Sequence, residues 1–530
     1  MTGPSGSPLR LPVPPRAARF LVLLAVFICA ACGLVYELAL VALGSYLLGD
    51  TITQASIVLS VMVFAMGVGS LASKGLTARP AFWFAVIEGA LSLVGGLSVL
   101  ALYAAYAYLS LYQPALVLCA FAVGALIGAE IPLLMELIQR IRRQDAADAV
   151  ADLFAADYVG GLIGGLAFPF LLLPVFGLVE GALIVGAVNA VVGMWVVLWL
   201  FRSSLRRRSR VLTTSAMVLV VAVLAAAFAY SGRFEVTARQ ALYRAPIVHA
   251  ERSDYQEIVV TRTSDGRDTR LFLNGDLQFS SLDEYRYHES LVHPVLDGAR
   301  GSVLVLGGGD GLAVREILRY PDVESVTLVD LDPAVTRLAR TDPEISELNG
   351  DSLDDPRVEV VNTDAFNWLR ENGERYDAII ADMPDPDDVG TAKLYSVEFY
   401  GLVRNALADG GRFAVQAGSP FFAPKAYWGI GASLEEAGWA TTPYHVDVPS
   451  FGDWGYFLAA PEGGGEGDGP PLGLPSDAPD LRFLSGSVLQ AAEVFPEDRS
   501  LEATGDVRPS TLLDPSVIGY EQDPEAWAGY

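Results

Sequence analysis

The chain has 530 residues, 52% of them apolar and only 18% charged, with a formal net charge of −26. That charge argues against nucleic acid as a partner and suits a cationic one; the length allows about two to four domains. The three cysteines, Cys29, Cys32 and Cys119, all lie in apolar runs, so they offer no disulfide framework and no convincing metal site.

The apolar excess sits in the first 230 or so residues, in runs longer than the roughly 20 residues that cross a bilayer. The pattern predicts about seven spans, at 18–48, 54–73, 81–108, 113–138, 153–175, 177–201 and 211–230. The first run is too long for a cleavable signal, and no small-residue cleavage site leads into a polar chain. Cys29 and Cys32 have CxxC spacing, but within a span they read as small apolar packing residues. Arg10, Arg16 and Arg19 precede the first span, and Lys74 and Arg79 follow the second. Arg140, Arg142 and Arg143 follow the fourth, and Arg202, Arg206, Arg207, Arg208 and Arg210 follow the sixth. This bias puts the N-terminus in the cytoplasm. Seven spans would then put the C-terminal half on the opposite side, and a count one lower would not, so its side stays open.

Glu37, Glu88, Glu130 and Glu180 fall inside spans, where acids are costly. Glu130, before Ile131 and Pro132, and Glu180 read as positions at helix ends or kinks, whereas Glu37 stands open between function and pairing. Gly160-Gly161 and Gly164-Gly165 have the spacing of close helix packing.

After Tyr230 polar residues return. Ile258–Thr263, the turn Ser264-Asp265-Gly266 and Thr269–Leu273 predict a β-hairpin, with a second turn at Asn274-Gly275. From 302 onward strand candidates alternate with helices, at 303–306, 326–329, 358–361, 377–381 and 412–416. Such alternation implies a parallel, doubly wound sheet. The first strand, Val303–Leu306, runs into Gly307-Gly308-Gly309-Asp310-Gly311, where glycine lets the backbone turn tightly against a ligand. The second ends in Asp330, placed to accept both hydroxyls of a ribose. Asp310, Asp330, Asp364 and Asp382 each sit just past a strand end, where such sheets bind ligands. The GGGDG spacing fits a methyltransferase-like sheet better than a dinucleotide fold. Residues 462–479, rich in Gly, Pro and acids, read as a flexible excursion. The predicted organisation is a multi-pass helical membrane domain over 1–232, a small β-strand subdomain over 233–298 and a Rossmann-like domain over 299–530.

From about 235 to 520 the chain resembles the spermidine synthases, or polyamine aminopropyltransferases, in their membrane-attached bacterial branch. The matching motifs are Ser253-Asp254-Tyr255-Gln256, Asn274-Gly275-Asp276-Leu277-Gln278 and Asp283-Glu284-Tyr285-Arg286-Tyr287-His288-Glu289. GGGDG, Val329-Asp330-Leu331-Asp332-Pro333, Asp364-Ala365 and Asp382-Met383-Pro384-Asp385-Pro386 follow in family order. Leu394–Tyr400 and Pro449-Ser450-Phe451-Gly452 complete the series.

The resemblance implies transfer of an aminopropyl group from decarboxylated S-adenosylmethionine to an amine, usually putrescine, with release of methylthioadenosine. No metal or resident cofactor is expected, and family members often form homodimers. It implies that Asp382 accepts the proton and Asp385 holds the amine, that Gln256 and Asp330 contact the donor, and that Asp364 and Ala365 lie near the adenine. His288, Asp310, Tyr255 and Tyr287 would line the amine and aminopropyl region. His249, His293 and His445 read as structural. The chain departs from the family pattern at Asn274 (commonly Asp), Asp330 (usually Glu), Phe451 (often Tyr) and Gly390-Thr391-Ala392 (Gly-Pro-Ala), which leaves the amine open. Two other functions remain: a polyamine transporter or sensor with a non-catalytic binding domain, and a methyltransferase using S-adenosylmethionine.

Overall fold

The structure, a computed structural model, describes residues 12–48, 51–109, 111–141, 146–243, 245–462, 469–523 and 526–527. Arg10, Arg142 and Arg143 lie outside them. The chain forms two compact units, Met1–Arg244 and Ala245–Tyr530.

The first unit is helical: α1 (Pro15–Leu48), α2 (Thr51–Ala72), α3 (Pro80–Ala104), α4 (Tyr112–Ile141), α5 (Ala146–Ala167), α6 (Leu173–Trp195) and α7 (Arg207–Tyr243). Among the described residues, six runs are long and apolar enough to cross a membrane. One of them, Val150–Leu200, has 51 residues, about 75 Å as one helix, more than twice the hydrocarbon thickness. Its backbone breaks at Gly177 (φ 68, ψ −176), and contacts made through glycines show that α5 and α6 run in opposite directions. A Cβ on Gly160 or Gly164 of α5 would strike the carbonyl oxygens of Phe27 (2.1 Å) and Ala31 (2.4 Å), so α5 runs parallel to α1. Tyr36 packs 2.7 Å from where Gly95 would carry a Cβ, and Cys29 lies beside Glu88, so α3 is parallel to α1 as well. Gly186 faces Ser92 and Gly193 faces Glu88, so α6 is antiparallel to α3. Gly124 and Gly128 of α4 face Met62 and Met66, so α2 and α4 run together, while Gly89 and Gly96 face Met217 and Leu224 of α7 in parallel. Gly33 of α1 packs on Ile127 and Cys29 lies beside Glu130, which sets α4 antiparallel to α1. Thus α1, α3, α5 and α7 point one way, and α2, α4 and α6 the other.

The second unit opens with a four-stranded antiparallel sheet, β1 (Ile247–Arg252), β2 (Glu257–Arg262), β3 (Thr269–Leu273) and β4 (Asp276–Ser280), in sequential order. Asn274 (φ 52) and Gly275 (φ 102) form the turn between β3 and β4, left-handed positions that Asn and Gly tolerate best. Asn274 Oδ1 also accepts the Glu257 N–H at 3.0 Å. Helix α8 (Glu284–Val292) leads into a seven-stranded sheet made of β5 (Ser302–Gly307), β6 (Ser325–Asp330), β7 (Val358–Asn362), β8 (Tyr376–Asp382), β9 (Leu407–Gln416), β10 (Trp439–Val448) and β11 (Gly452–Pro461). Their order is β10-β11-β9-β8-β5-β6-β7. Strands β5 to β9 are parallel, and alternate residues feed two cores. Val303 and Val305 pack with Val326 and Leu328 on one face; Leu304 and Leu306 pack with Val329 and Ile379 on the other.

The expected parallel, doubly wound sheet is present in β5 to β9, and β10 and β11 add an antiparallel hairpin at the β9 edge. Pro443 inside β10 and the polar alternation of this segment hide it in the sequence. In the predicted excursion at 462–479 the described residues make contacts with the rest of the unit. Thr442 Oγ1 donates to Pro470 O at 2.6 Å, Leu472 packs on the core, and Asp477 pairs with Arg300. Residues 463–468 lie outside the described residues.

Candidate active site

The chain leaves β5 toward β6 on one side and later returns through β8 on the other, so the crevice of the sheet opens at the carboxyl ends of β5 and β8. There Gly307 pairs with Asp382. Gly307, Gly308 and Gly311 hold φ of 80, 65 and 81, which only glycine adopts freely. A Cβ on Gly307 would lie 2.1 Å from the Asp382 carbonyl oxygen, and one on Gly309 2.5 Å from Asp330 Oδ2. The loop is thus built to lie against two aspartates.

Asp330, at the end of β6, accepts the N–H groups of Gly309 (3.0 Å) and Asp332 (2.9 Å). Burial pushes its carboxyl up to about 6 despite these bonds. Each oxygen keeps a lone pair for a ligand hydroxyl. The turn between β1 and β2 reaches the same place. Gln256 Nε2 and Ser253 Oγ donate to Asp332 Oδ2 at 3.0 and 2.6 Å. Thr363 N–H bonds Asp330 O at 2.9 Å, which carries the end of β7 alongside. Asp364 follows and caps the helix Ala365–Glu371 through the Asn367 N–H. Lys393 Nζ lies 2.5 Å from Asp364; although partial burial opposes ionisation, this ammonium helps hold the carboxyl below its usual range.

Across the crevice the groups are acidic. Tyr287 of α8 donates to Asp382 Oδ1 at 2.6 Å, and its ring is held edge-on by Phe451 at 5.8 Å. His288 is buried with Nδ1 3.0 Å from Glu284 Oε2, and Glu284 in turn takes Arg315 at 2.9 Å. Burial opposes the imidazolium, yet Glu284, Asp310 and Asp382 outweigh it and raise His288 above its usual range. Asp310 lies within electrostatic reach of His288 and Asp382; burial lifts its carboxyl to about 6. Asp385 accepts from Gln416 Nε2 at 3.1 Å and is also raised to about 6, by desolvation first and then by Asp387.

Nine of the ten predicted site residues gather at this edge of the sheet. Tyr255 is the exception: its side chain is 54% exposed on the β1–β2 turn, and no described contact joins it to the amine-side residues. Three further residues belong to the acidic side. Gln416, at the end of β9, also donates to Met383 O at 2.6 Å, so it holds both ends of the turn that presents Asp385. Asp276, in the NGDLQ motif, lies near Asp387 and Asp385, and desolvation together with these charges raises its carboxyl to about 7. Glu521, buried in the C-terminal helix Ser516–Glu521, accepts from Trp527 and is raised to about 8, by burial and then by Asp385. The NGDLQ motif was a signal for Asp276; Gln416 and Glu521 carried none, because only the fold brings them here. A crevice with a carboxylate that keeps lone pairs for ligand hydroxyls on one side and a ring of carboxylates on the other suits a nucleoside and a small cation together.

Residues 284–464 match the family described as the spermine/spermidine synthase domain. The chain is 60% identical over 518 residues to polyamine aminopropyltransferase 1 of Streptomyces coelicolor, covering 97% of this chain and 96% of that protein. It is 48% identical over 510 residues to the polyamine aminopropyltransferase of Mycobacterium tuberculosis, covering 94% of each. A crystal structure of spermidine synthase in complex with the transition state analogue AdoDATO aligns at 25% identity and a TM-score of 0.43, over 49% of this chain and 88% of that one.

Proposed function

This chain belongs to the polyamine aminopropyltransferase family, and on that premise we propose that it moves the aminopropyl group of decarboxylated S-adenosylmethionine to putrescine, giving spermidine and methylthioadenosine. The observation that carries this reading is the pairing of Gly307 with Asp382, which sets the donor loop directly against the acidic side of the crevice.

In this reading the donor's ribose lies on Asp330, beside Gln256, with its adenine near Asp364 and Ala365. Asp385, held by Gln416, takes the far ammonium of the diamine, and Asp310 and His288 line the region between. The near amine, protonated in water at pH 7, loses a proton to Asp382. Its lone pair then attacks the carbon next to the sulfonium. The new C–N bond forms as the C–S bond breaks, the electron pair leaves on sulfur, and the neutral thioether departs. The sulfonium carbon is already electrophilic, so the protein's work is alignment and proton removal. Tyr287 steadies Asp382, and Tyr255 stays at the rim.

We further propose a multi-pass protein of the cell membrane with seven crossings. Alternating helix directions support this, because they gather Arg16, Arg19, Lys74, Arg79, Arg140, Arg202 and Arg206–Arg208 at one end of the helical unit. That end then faces the cytoplasm. Since α7 starts at that end, it carries the chain toward the opposite face.

The test is the full chain in detergent with putrescine and decarboxylated S-adenosylmethionine, followed by methylthioadenosine and spermidine. Absence of both products, or methyl transfer from S-adenosylmethionine, overturns the reading. A reporter fused after Tyr530 reads the side of the membrane; cytoplasmic activity of that reporter overturns the topology alone.

A further inference from the structure

The membrane unit holds a polar cluster that aminopropyl transfer does not use. Cys29 of α1, Glu88 of α3 and Glu130 of α4 each place a ligand atom within 4.8 Å of the others. Asn189 of α6 joins them, donating from Nδ2 to Glu88 Oε2 at 2.7 Å and to Ser92 Oγ at 3.3 Å. Cys29 is 2% exposed, Glu88 0%, Glu130 6% and Asn189 0%. Glu88 lies eight residues into α3, about 12 Å from its start. Gly193 lets the helices close here, since a Cβ on it would sit 2.8 Å from that of Glu88.

The polar atoms are not all satisfied. Glu88 Oε1 and Asn189 Oδ1 are buried with no hydrogen-bond partner. Glu88, Glu130 and Cys29 lie within hydrogen-bonding reach of one another, and no basic side chain of the described residues is among the leading electrostatic partners of either carboxylate. Two acids side by side in a low-dielectric interior without a countercharge are unfavourable. A small cation relieves this, and the donor set says which kind. A thiol is a poor partner for an ammonium group but a strong ligand for borderline and soft divalent metals. Convergence of three donors within 4.8 Å suits one ion rather than the methylene chain of a diamine.

We propose that Cys29, Glu88 and Glu130, with Glu88 held in place by the Asn189 amide, form an intramembrane site for a divalent transition-metal cation such as Zn²⁺. The two carboxylates offset its charge, and Cys29 releases its thiol proton to solvent on ligation. One ion would then clasp α1, α3 and α4 together.

The test uses the full chain in detergent, stripped with chelator, dialysed against ZnCl₂ and analysed for metal. About one zinc per chain is expected in the parent and in Asp382→Asn, and a loss of at least tenfold in affinity in Glu88→Gln and Glu130→Gln. Loading with Co²⁺ gives a second readout that needs no acid variant: a thiolate-to-cobalt charge-transfer band in the parent, absent in Cys29→Ser. No stoichiometric metal in the parent, as for a carboxylate pair that merely shares a proton, overturns the proposal. So does metal retained at full affinity in both Gln variants, or a cobalt spectrum without the thiolate band.

Discussion

Tyr287 donates its phenolic hydrogen to Oδ1 of Asp382 at 2.6 Å, while Oδ2 of the same carboxylate sits 2.9 Å from where Gly308 would carry a Cβ. One oxygen is occupied by a buried phenol, and the other faces the glycine loop. The oxygen free to take a proton is therefore the one turned toward the donor side of the crevice. In the proposed mechanism that asymmetry gives the two residues different roles, Asp382 touching the reacting amine and Tyr287 acting through Asp382.

Asp382→Asn removes the acceptor and keeps the shape. Turnover should fall by about 10²–10⁴, the usual contribution of a positioned base. Tyr287→Phe deletes one hydrogen bond to a charged group, worth about 1.5–3 kcal/mol, and should cost roughly 10- to 100-fold in kcat with little change in either KM. Methylthioadenosine release measures both. An unchanged rate in Asp382→Asn removes that residue from the mechanism.

The amine side should be sensitive to pH in one direction. In the free protein burial raises Asp310 and Asp385 to about 6, while desolvation and neighbouring charges raise Asp276 to about 7. Above these values the groups are ionised and attract an ammonium; as pH falls through 7 and then 6 they take protons and lose that attraction. The KM for putrescine should rise across this window while the donor's KM moves less. A bound cation favours the ionised carboxylates, so putrescine binding near pH 6 should release protons. Calorimetry in two buffers of different ionisation enthalpy reads the sign, and proton uptake would contradict the assignment.

Gly309 tests the donor side without replacing a charged group. A Cβ there would stand 2.5 Å from Asp330 Oδ2 and 2.6 Å from its Cγ. Gly309→Ala must push the carboxylate out of its place, so donor affinity should fall by at least tenfold. Putrescine affinity should change far less. Equal losses for both substrates would mean that the loop shapes the whole crevice rather than the ribose site.

Local motifs made the donor half legible. Val303–Leu306, the glycines and Asp330 lie within one strand-turn-helix-strand unit, so adjacency in sequence becomes adjacency in space. The acidic half was legible only where a motif held it. Gln416 and Glu521 are 31 and 136 residues from Asp385 and carry no pattern of their own. The hairpin of β10 and β11 was hidden by Pro443, and the ordering of 469–479 by partners far along the chain, such as Arg300 for Asp477. In the helical unit Glu130 read as a residue beside a kink, because nothing in α4 reveals Glu88 and Cys29 across the bundle.

Acid stability of the transferase unit should depend on Glu316. This buried carboxylate lies 3.0 Å from His293 Nε2, 2.9 Å from Arg315 and 2.7 Å from Arg319. Burial opposes its charge, but His293 and the two guanidiniums outweigh it and hold the carboxyl down to about 2. The unfolded value is about 4.3, so the folded state gains on the order of 3 kcal/mol while Glu316 is ionised. Because the folded pKa is depressed, that gain is complete above the unfolded value and disappears as pH falls from about 4 toward 2. Glu316→Gln should therefore melt several degrees below the parent at pH 6 to 7, followed by tryptophan fluorescence on the full chain in detergent. The gap should narrow steadily below pH 4.5. A gap that stays constant from pH 7 to pH 3 would show that packing of the side chain, not its charge, is what the fold uses.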